Sequence, residues 1–215
     1  MSQQPEQDKR RTATGETILA IAAEQFAEHG YASVSMRQLA QAIGVTPAAL
    51  YHHYPDKDAL YLAVLRSVFG RGTDMALDML QREGSPQDRL ARVMGVLVRM
   101  FAEDEVMMKL LHRELLDGDE ERLRTLTEDI MVGPLEAIEQ LVITLLPERD
   151  ARLTTISIIA GIIGHFQLRP MLAHVPGGWT VTDDPATLAR HLVSWVLGND
   201  APIQAQLSLG LGEGE

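Results

Sequence analysis

Residues 35–57, SMRQLAQAIGVTPAALYHHYPDK, carry two short amphipathic helical patterns separated by one glycine, and no other stretch restricts the fold as tightly. Ser35 opens the first. Its hydroxyl can accept from a first-turn backbone N–H while Gln38 reaches back to the Ser35 amide, the capping-box arrangement. Met36, Leu39, Ala40 and Ile43 then share one face, and Gly44 supplies the turn that ends the helix. Thr46 caps the second pattern, and Pro47 takes its first position, where a missing N–H costs nothing. This helix is brief, ending before Pro55. Val45 and Leu50 read as core, whereas Tyr51, His52 and His53 stand where a soluble helix would normally carry Lys or Glu. Two such helices about a glycine turn read as a helix-turn-helix, the smallest unit that can present one helix to the DNA major groove.

Similar signals organise the rest of the chain. Ile18, Ala22 and Phe26 repeat at four-residue spacing and predict a first helix from about Thr14 to Gly30. Asp56 caps a fourth helix through Leu60, Tyr61, Val64, Leu65 and Val68, with Gly70 and Gly72 near its expected end. Ser85-Pro86 and Asp184-Pro185 each announce a new helix. Between them lie stripes at Leu90 to Phe101 and Val106 to Leu111, and a long pattern from Glu120 to about Leu146. Pro134 conflicts with the carbonyl of Ile130, so a kink or break is expected near Gly133-Pro134. Apolar residues make up 46% of the chain, with Ala, Leu, Ile, Val and Met dominating, and aromatics only 5%, which favours an all-α fold of about nine helices.

Formal charge is −11, which argues against a nucleic-acid partner until its distribution is considered. Residues 1–70 hold six Lys or Arg against seven acids, so the acidic excess belongs to the remainder. The one basic run, Lys9-Arg10-Arg11, precedes the first helix, where a flexible arm over residues 1–13 can meet phosphates; a solvated tail is the alternative. There is no cysteine, which excludes disulfides, cysteine-ligated zinc and a thiol nucleophile. The seven histidines include no HExxH and none stands three residues after a Glu, so neither a metal site nor an enzyme is expected, and no cofactor. The polar start lacks a secretory signal, and the longest apolar stretch, Ile156 to Gly164, falls short of the roughly 20 residues of a membrane span. The expectation is a cytoplasmic protein without membrane contact.

The segment TGETILAIAAEQFAEHGYASVSMRQLAQAIGVTPAALYHHYPDKDALYLAVL resembles the N-terminal domain of the tetracycline-repressor (TetR) family of bacterial transcriptional regulators, over roughly residues 11–68, with GVTPAALYHHYPDK the most diagnostic part. The resemblance implies a three-helix helix-turn-helix DNA-binding domain over 14–70, including a connecting fourth helix. It also implies a larger helical domain over 71–200 that dimerises and binds an effector; residues 201–215 read as a disordered tail. On the same resemblance Tyr51 and His53 donate to DNA phosphates and Lys57 neutralises one. Base reading falls to Thr46, Pro47, Ala48 and Ala49, with Tyr51 or His52 at the margin and Arg37 from the helix before. Many relatives carry Lys or Arg where Pro47 stands. That departure leaves Arg37 as the candidate guanine contact, with a phosphate clamp as the alternative.

The implied function is a ligand-responsive repressor released from a palindromic double-stranded DNA operator by a small hydrophobic effector. A helical small-molecule-binding module without DNA binding is the rival reading. Candidate effector-binding residues are Phe101, Met107, Met108, His112, Met131, His165 and Phe166, since Met adapts to varied shapes and a buried imidazole offers a polar handle. Residues 151–173 are apolar almost all round between Ile156 and Ile163, with Gly161 and Gly164 permitting close approach. Ile158, Gly161, Ile162 and His165, with Leu188, Leu192 and Trp195, form the candidate homodimer face; an ordinary core helix is the alternative.

Overall fold

The computed structural model describes residues 14–176 and 184–198, and among these there are helices and no strand. The elements are α1 (Gly15–His29), α2 (Met36–Ile43), α3 (Pro47–His53), α4 (Lys57–Gln81), α5 (Pro86–Glu103), α6 (Glu105–Asp117), α7 (Glu120–Leu126), α8 (Val132–Leu145), α9 (Ala151–Leu172) and α10 (Pro185–Leu197). A π-helical turn, Thr127–Met131, follows α7 and leads into α8 without an intervening loop, so with these two counted together the all-α fold has nine helices among the described residues. The expected basic arm at 1–13 and the tail at 201–215 lie outside the described residues.

The chain divides into two compact units. The first comprises the described part of Met1–Phe69 together with Val106–Leu126, and the second Gly70–Glu105 with the described part of Thr127–Glu215.

Local signals set the first unit. Thr14 accepts from the Thr17 amide to start α1. Both halves of the capping box form at α2, where the Gln38 amide donates to Ser35 Oγ and the Ser35 amide to Gln38 Oε1. Gly44 ends α2 in the left-handed region at φ 80°, and Ala49 N donates to Thr46 Oγ1 at 3.2 Å behind Pro47. Asp56 Oδ1 accepts from Ala59 N at 2.7 Å at the start of α4. Ile18, Phe26, Leu39, Leu50, Leu60, Tyr61 and Leu65 are then fully buried with Met107 and Leu110 of α6. Each such side chain contributes about 1.5–3 kcal/mol by leaving water.

Helix α6 is fastened to α1 by polar groups. Arg113 donates from Nε to the Ala27 carbonyl at 2.8 Å and from Nη2 to the Glu28 carbonyl at 2.6 Å, satisfying carbonyls that the helix end leaves open. Glu114 is wholly buried, accepts from Tyr61 Oη at 2.6 Å and pairs with Arg122 Nε at 3.0 Å.

In the second unit α10 lies against α5, and α8 and α9 complete the core around Leu90, Val93, Met94, Val98, Ile138, Val142, Ile158 and Val193. Capping again works as the sequence suggests: Ser85 and Asp88 form a capping box before Pro86, and Asp184 accepts from the Ala186 and Thr187 amides before Pro185.

Three expectations change. Helix α4 runs through Gly70 and Gly72 to Gln81. Gly72 serves packing, since a Cβ there would lie 1.8 Å from Met100 Sδ. Pro134 produces no break at its own position. The disturbance moves one turn earlier, where the helix widens into the π turn that accommodates a proline without an N–H. Helix α9 as a whole is long and apolar enough to cross a membrane by length and composition, although the apolar run inside it is short. Yet it contains Arg152, Ser157, His165, Gln167 and Arg169, and it buries only Thr155, Ile158 and Ile162 within its own unit.

Candidate nucleic-acid interface

The site is built on α3 and the start of α2. Leu50 is the single fully buried residue of α3 and turns the helix so that Pro47, Ala48, Ala49, Tyr51, His52 and His53 all face solvent, with Thr46 exposed at the cap. Tyr51 is 50% exposed, unusual for an aromatic side chain with no partner to cover it. His52 and His53 sit in the last turn with ring centroids 6.1 Å apart, at right-angle-like tilt. Tyr54 turns inward, and burial pushes its phenol up.

Arg37 occupies the first turn of α2 and is exposed. Among the described residues of the first unit, its guanidinium is the cation without a hydrogen bond or ion pair of its own. Of the others, Lys109 is committed to Glu28, Arg113 to the end of α1, Arg122 to Glu114 and Lys57 to Tyr31, and Arg66 and Arg124 have partners too. A solvated, unpaired guanidinium in the first turn of a helix is a group available for a phosphate or a guanine edge.

Lys57 lies where the sequence places it, at the head of α4, but is half-buried. Its Nζ donates to the Tyr31 carbonyl at 3.0 Å and lies 4.1 Å from the centre of the Tyr31 ring. Sequence reading missed Tyr31 entirely. Its hydroxyl donates to Asp58, and burial together with that bond pushes its phenol up to about 12. A Gly-Tyr pair after a helix end was the available signal, and it was insufficient to show what lay 26 positions on.

The candidate effector residues divide between the two units. Met107 is buried in the core of the first unit, Met108 is half-buried there, and His112 faces solvent, while Phe101, Met131, His165 and Phe166 belong to the second unit. Periodicity placed them on helices but carried no information about which helices adjoin. His165 and Phe166 do meet edge to face at 5.3 Å, and His165 Nε2 is buried without a partner. Burial lowers the His165 imidazole, assisted by Arg169 and His191.

The candidate dimer face also needs correction. Ile158, Ile162, Leu188 and Leu192 are buried within their own chain, and so cannot form an outer surface; Gly161 and His165 are half-covered. Trp195 is exposed as expected. The outward apolar groups on α9 instead include Leu153 and Ile156, 63% and 62% exposed, with Leu168 and Met171 exposed nearer its end. Leu153 and Trp195 line a groove of about 300 Å³ with Arg149, Thr154, Ser157 and Val196. Among the described residues no cluster of His, Asp or Glu has the makings of a metal site.

Residues 18–64 match the family described as bacterial regulatory proteins, tetR family. The chain is 42% identical over 67 residues to the HTH-type transcriptional repressor Rv1474c of Mycobacterium tuberculosis, an alignment covering 31% of this chain and 34% of that protein. Alignments to the first curated relatives span less than two thirds of their length, 34% and 64% for two of them. The fold is shared with the transcriptional regulator FadR from Bacillus subtilis in complex with stearoyl-CoA, at TM-score 0.71 and 16% identity over 87% of this chain and all of that one. It is shared too with AibR in complex with isovaleryl coenzyme A and operator DNA, at TM-score 0.65 and 20% identity, covering 86% and 98%.

Proposed function

We propose, starting from this chain's membership of the tetR family of bacterial regulatory proteins, that it is a ligand-responsive, sequence-specific DNA-binding transcriptional regulator, a repressor that a small hydrophobic molecule releases from a palindromic operator. The observation that carries this reading is the solvent-facing surface of α3, together with an exposed Arg37 in the first turn of α2. Helix α3 enters the major groove. Thr46, Pro47, Ala48 and Ala49 meet base edges, with Thr46 the hydrogen-bonding member and the small apolar groups suited to thymine methyls. Tyr51, His53 and Lys57 approach the backbone and set register, with His52 at the margin of the base-reading set.

So few cations give one head weak affinity. Two heads joined as a homodimer add their contacts and read a two-fold operator. The exposed apolar groups of α9 and Trp195 of α10 supply the dimer face, which suits a cytoplasmic protein better than a membrane span interrupted by Arg152 and Arg169. An effector held in the second unit needs only a preference for the form that does not bind DNA. A differential of about 1–3 kcal/mol changes operator affinity roughly 5- to 150-fold. Since two fold neighbours carry acyl-CoA thioesters, acyl-CoAs of graded chain length head the effector panel.

The test is selection of bound duplexes from a random library by the full chain, followed by titration of the winner with that panel. Enrichment of a palindrome, released by a panel member, is expected. A library that stays unenriched while ligands still raise thermal stability would favour the module without DNA binding.

A further inference from the structure

Lys57 makes both of its contacts to one residue. Its Nζ donates to the Tyr31 carbonyl and rests over the Tyr31 ring, at 3.0 and 4.1 Å. The ring is fixed in turn: its hydroxyl donates to Asp58, and it meets the rings of Phe26 and Tyr61 at centroid separations of 6.2 and 5.0 Å. The Arg122 guanidinium lies 4.8 Å from its centre and is held by the buried Glu114, which also accepts from Tyr61. All these residues belong to the first unit. A free lysine side chain samples many rotamers and loses that freedom on binding, whereas an ammonium resting on a fixed aromatic face and one carbonyl has lost it already. An ammonium has three donors, so one engaged carbonyl leaves N–H groups for an anion.

We propose that Tyr31 is a positioning residue for Lys57, holding its ammonium in the place from which it meets a DNA phosphate. The inference rests on the reading of Lys57 as a phosphate contact. Glu114 and Arg122 act one step further back, fixing the ring on which the lysine rests.

Operator affinity of the full chain, measured across a salt series, tests this. Neutralising one phosphate contributes about one to the slope of log K against log salt, so the slope counts contacts, which a general loosening of the fold does not change in number. Lys57→Gln is expected to weaken binding and to lower the slope by about one per subunit. Tyr31→Leu should lower affinity and slope in the same direction and add nothing in the Lys57→Gln background, while Tyr31→Phe, which keeps the ring, should stay within about twofold of the parent. Because Leu at 31 could unsettle the core, a shape-conserving series of fluorinated phenylalanines at that position weakens the ring face alone, and affinity should fall stepwise with fluorine number. No effect of Lys57→Gln overturns the phosphate reading and the inference with it. An effect of Lys57→Gln together with a flat fluorine series, tighter binding by Tyr31→Leu, or additive losses in the double variant overturns the positioning role and leaves the phosphate reading standing.

Discussion

The guanidinium of Arg113 fills the space that a side chain on Gly30 would need: a Cβ built there would lie 2.9 Å from Arg113 Nη1. Gly30 also sits at φ 78° and ψ 157°, a region essentially closed to residues with a Cβ. Two separate penalties therefore fall on Gly30→Ala, and a loss of about 1–3 kcal/mol is expected in urea denaturation. Gly44, at φ 80° and ψ 27° with nothing nearby, carries only the left-handed penalty, so Gly44→Ala should cost about 1 kcal/mol. Placing Gly30→Ala in an Arg113→Ala background should relieve the clash but not the backbone strain.

The Arg122 and Glu114 pair is asymmetric in burial, the carboxylate being wholly covered and the guanidinium slightly exposed, with Asp117 and Asp119 also within 3.4 Å of it. Arg122→Met strands a carboxylate whose remaining partner is the Tyr61 hydroxyl, and destabilisation by about 3–5 kcal/mol is expected. Adding Glu114→Gln removes the stranded charge. The double variant should therefore be more stable than Arg122→Met alone, as read from melting midpoints at one protein concentration.

Legibility followed the range of the determining contact. The caps at Ser35, Thr46, Ser85 and Asp184 are set by residues within three positions and were readable, as was the burial of Leu50 against the exposure of Tyr51 and His52. Gly72 looked like a stop because the reason for its small size, Met100, lies on another helix. On α9 the apolar residues run nearly all round, so no periodicity separates the inward Ile158 and Ile162 from the outward Leu153 and Ile156. The tie between Lys57 and Tyr31 spans 26 positions and leaves no local trace.

His165 gives a pH dependence of defined sign. Burial, with Arg169 and His191 nearby, lowers its imidazole below the ordinary 6.5, so the folded chain holds it neutral where the unfolded chain takes up a proton. Below about 6.5 the unfolded state binds more protons, and stability contributed by the neutral ring is lost as pH falls. His165→Gln should flatten the difference between urea midpoints at pH 7.5 and 5.5 relative to the parent. Parallel profiles for the two proteins would deny His165 that role.

Exposed Ile156 and Trp195 should carry the dimer face. Ile156→Glu and Trp195→Glu are each expected to halve the mass found by sedimentation. Operator binding should then fall steeply, because separated heads pay the association cost twice. By contrast Leu192→Glu should unfold the second unit, its side chain being buried at home.

Arg37 separates base reading from phosphate clamping by geometry. A guanidinium can grip guanine O6 and N7 with two parallel donors, whereas an ammonium offers a point charge. If Arg37 reads a base, Arg37→Lys keeps the salt dependence of binding but relaxes preference at one symmetric pair of operator positions, by about 1–3 kcal/mol per contact. Arg37→Ala should lose the same preference and weaken binding further. Selected-site profiles of parent, Lys and Ala variants make the comparison directly. Unchanged profiles in both variants, with a salt slope lower in Ala alone, would assign Arg37 to the backbone and leave discrimination to Thr46 and the small side chains that follow it on α3.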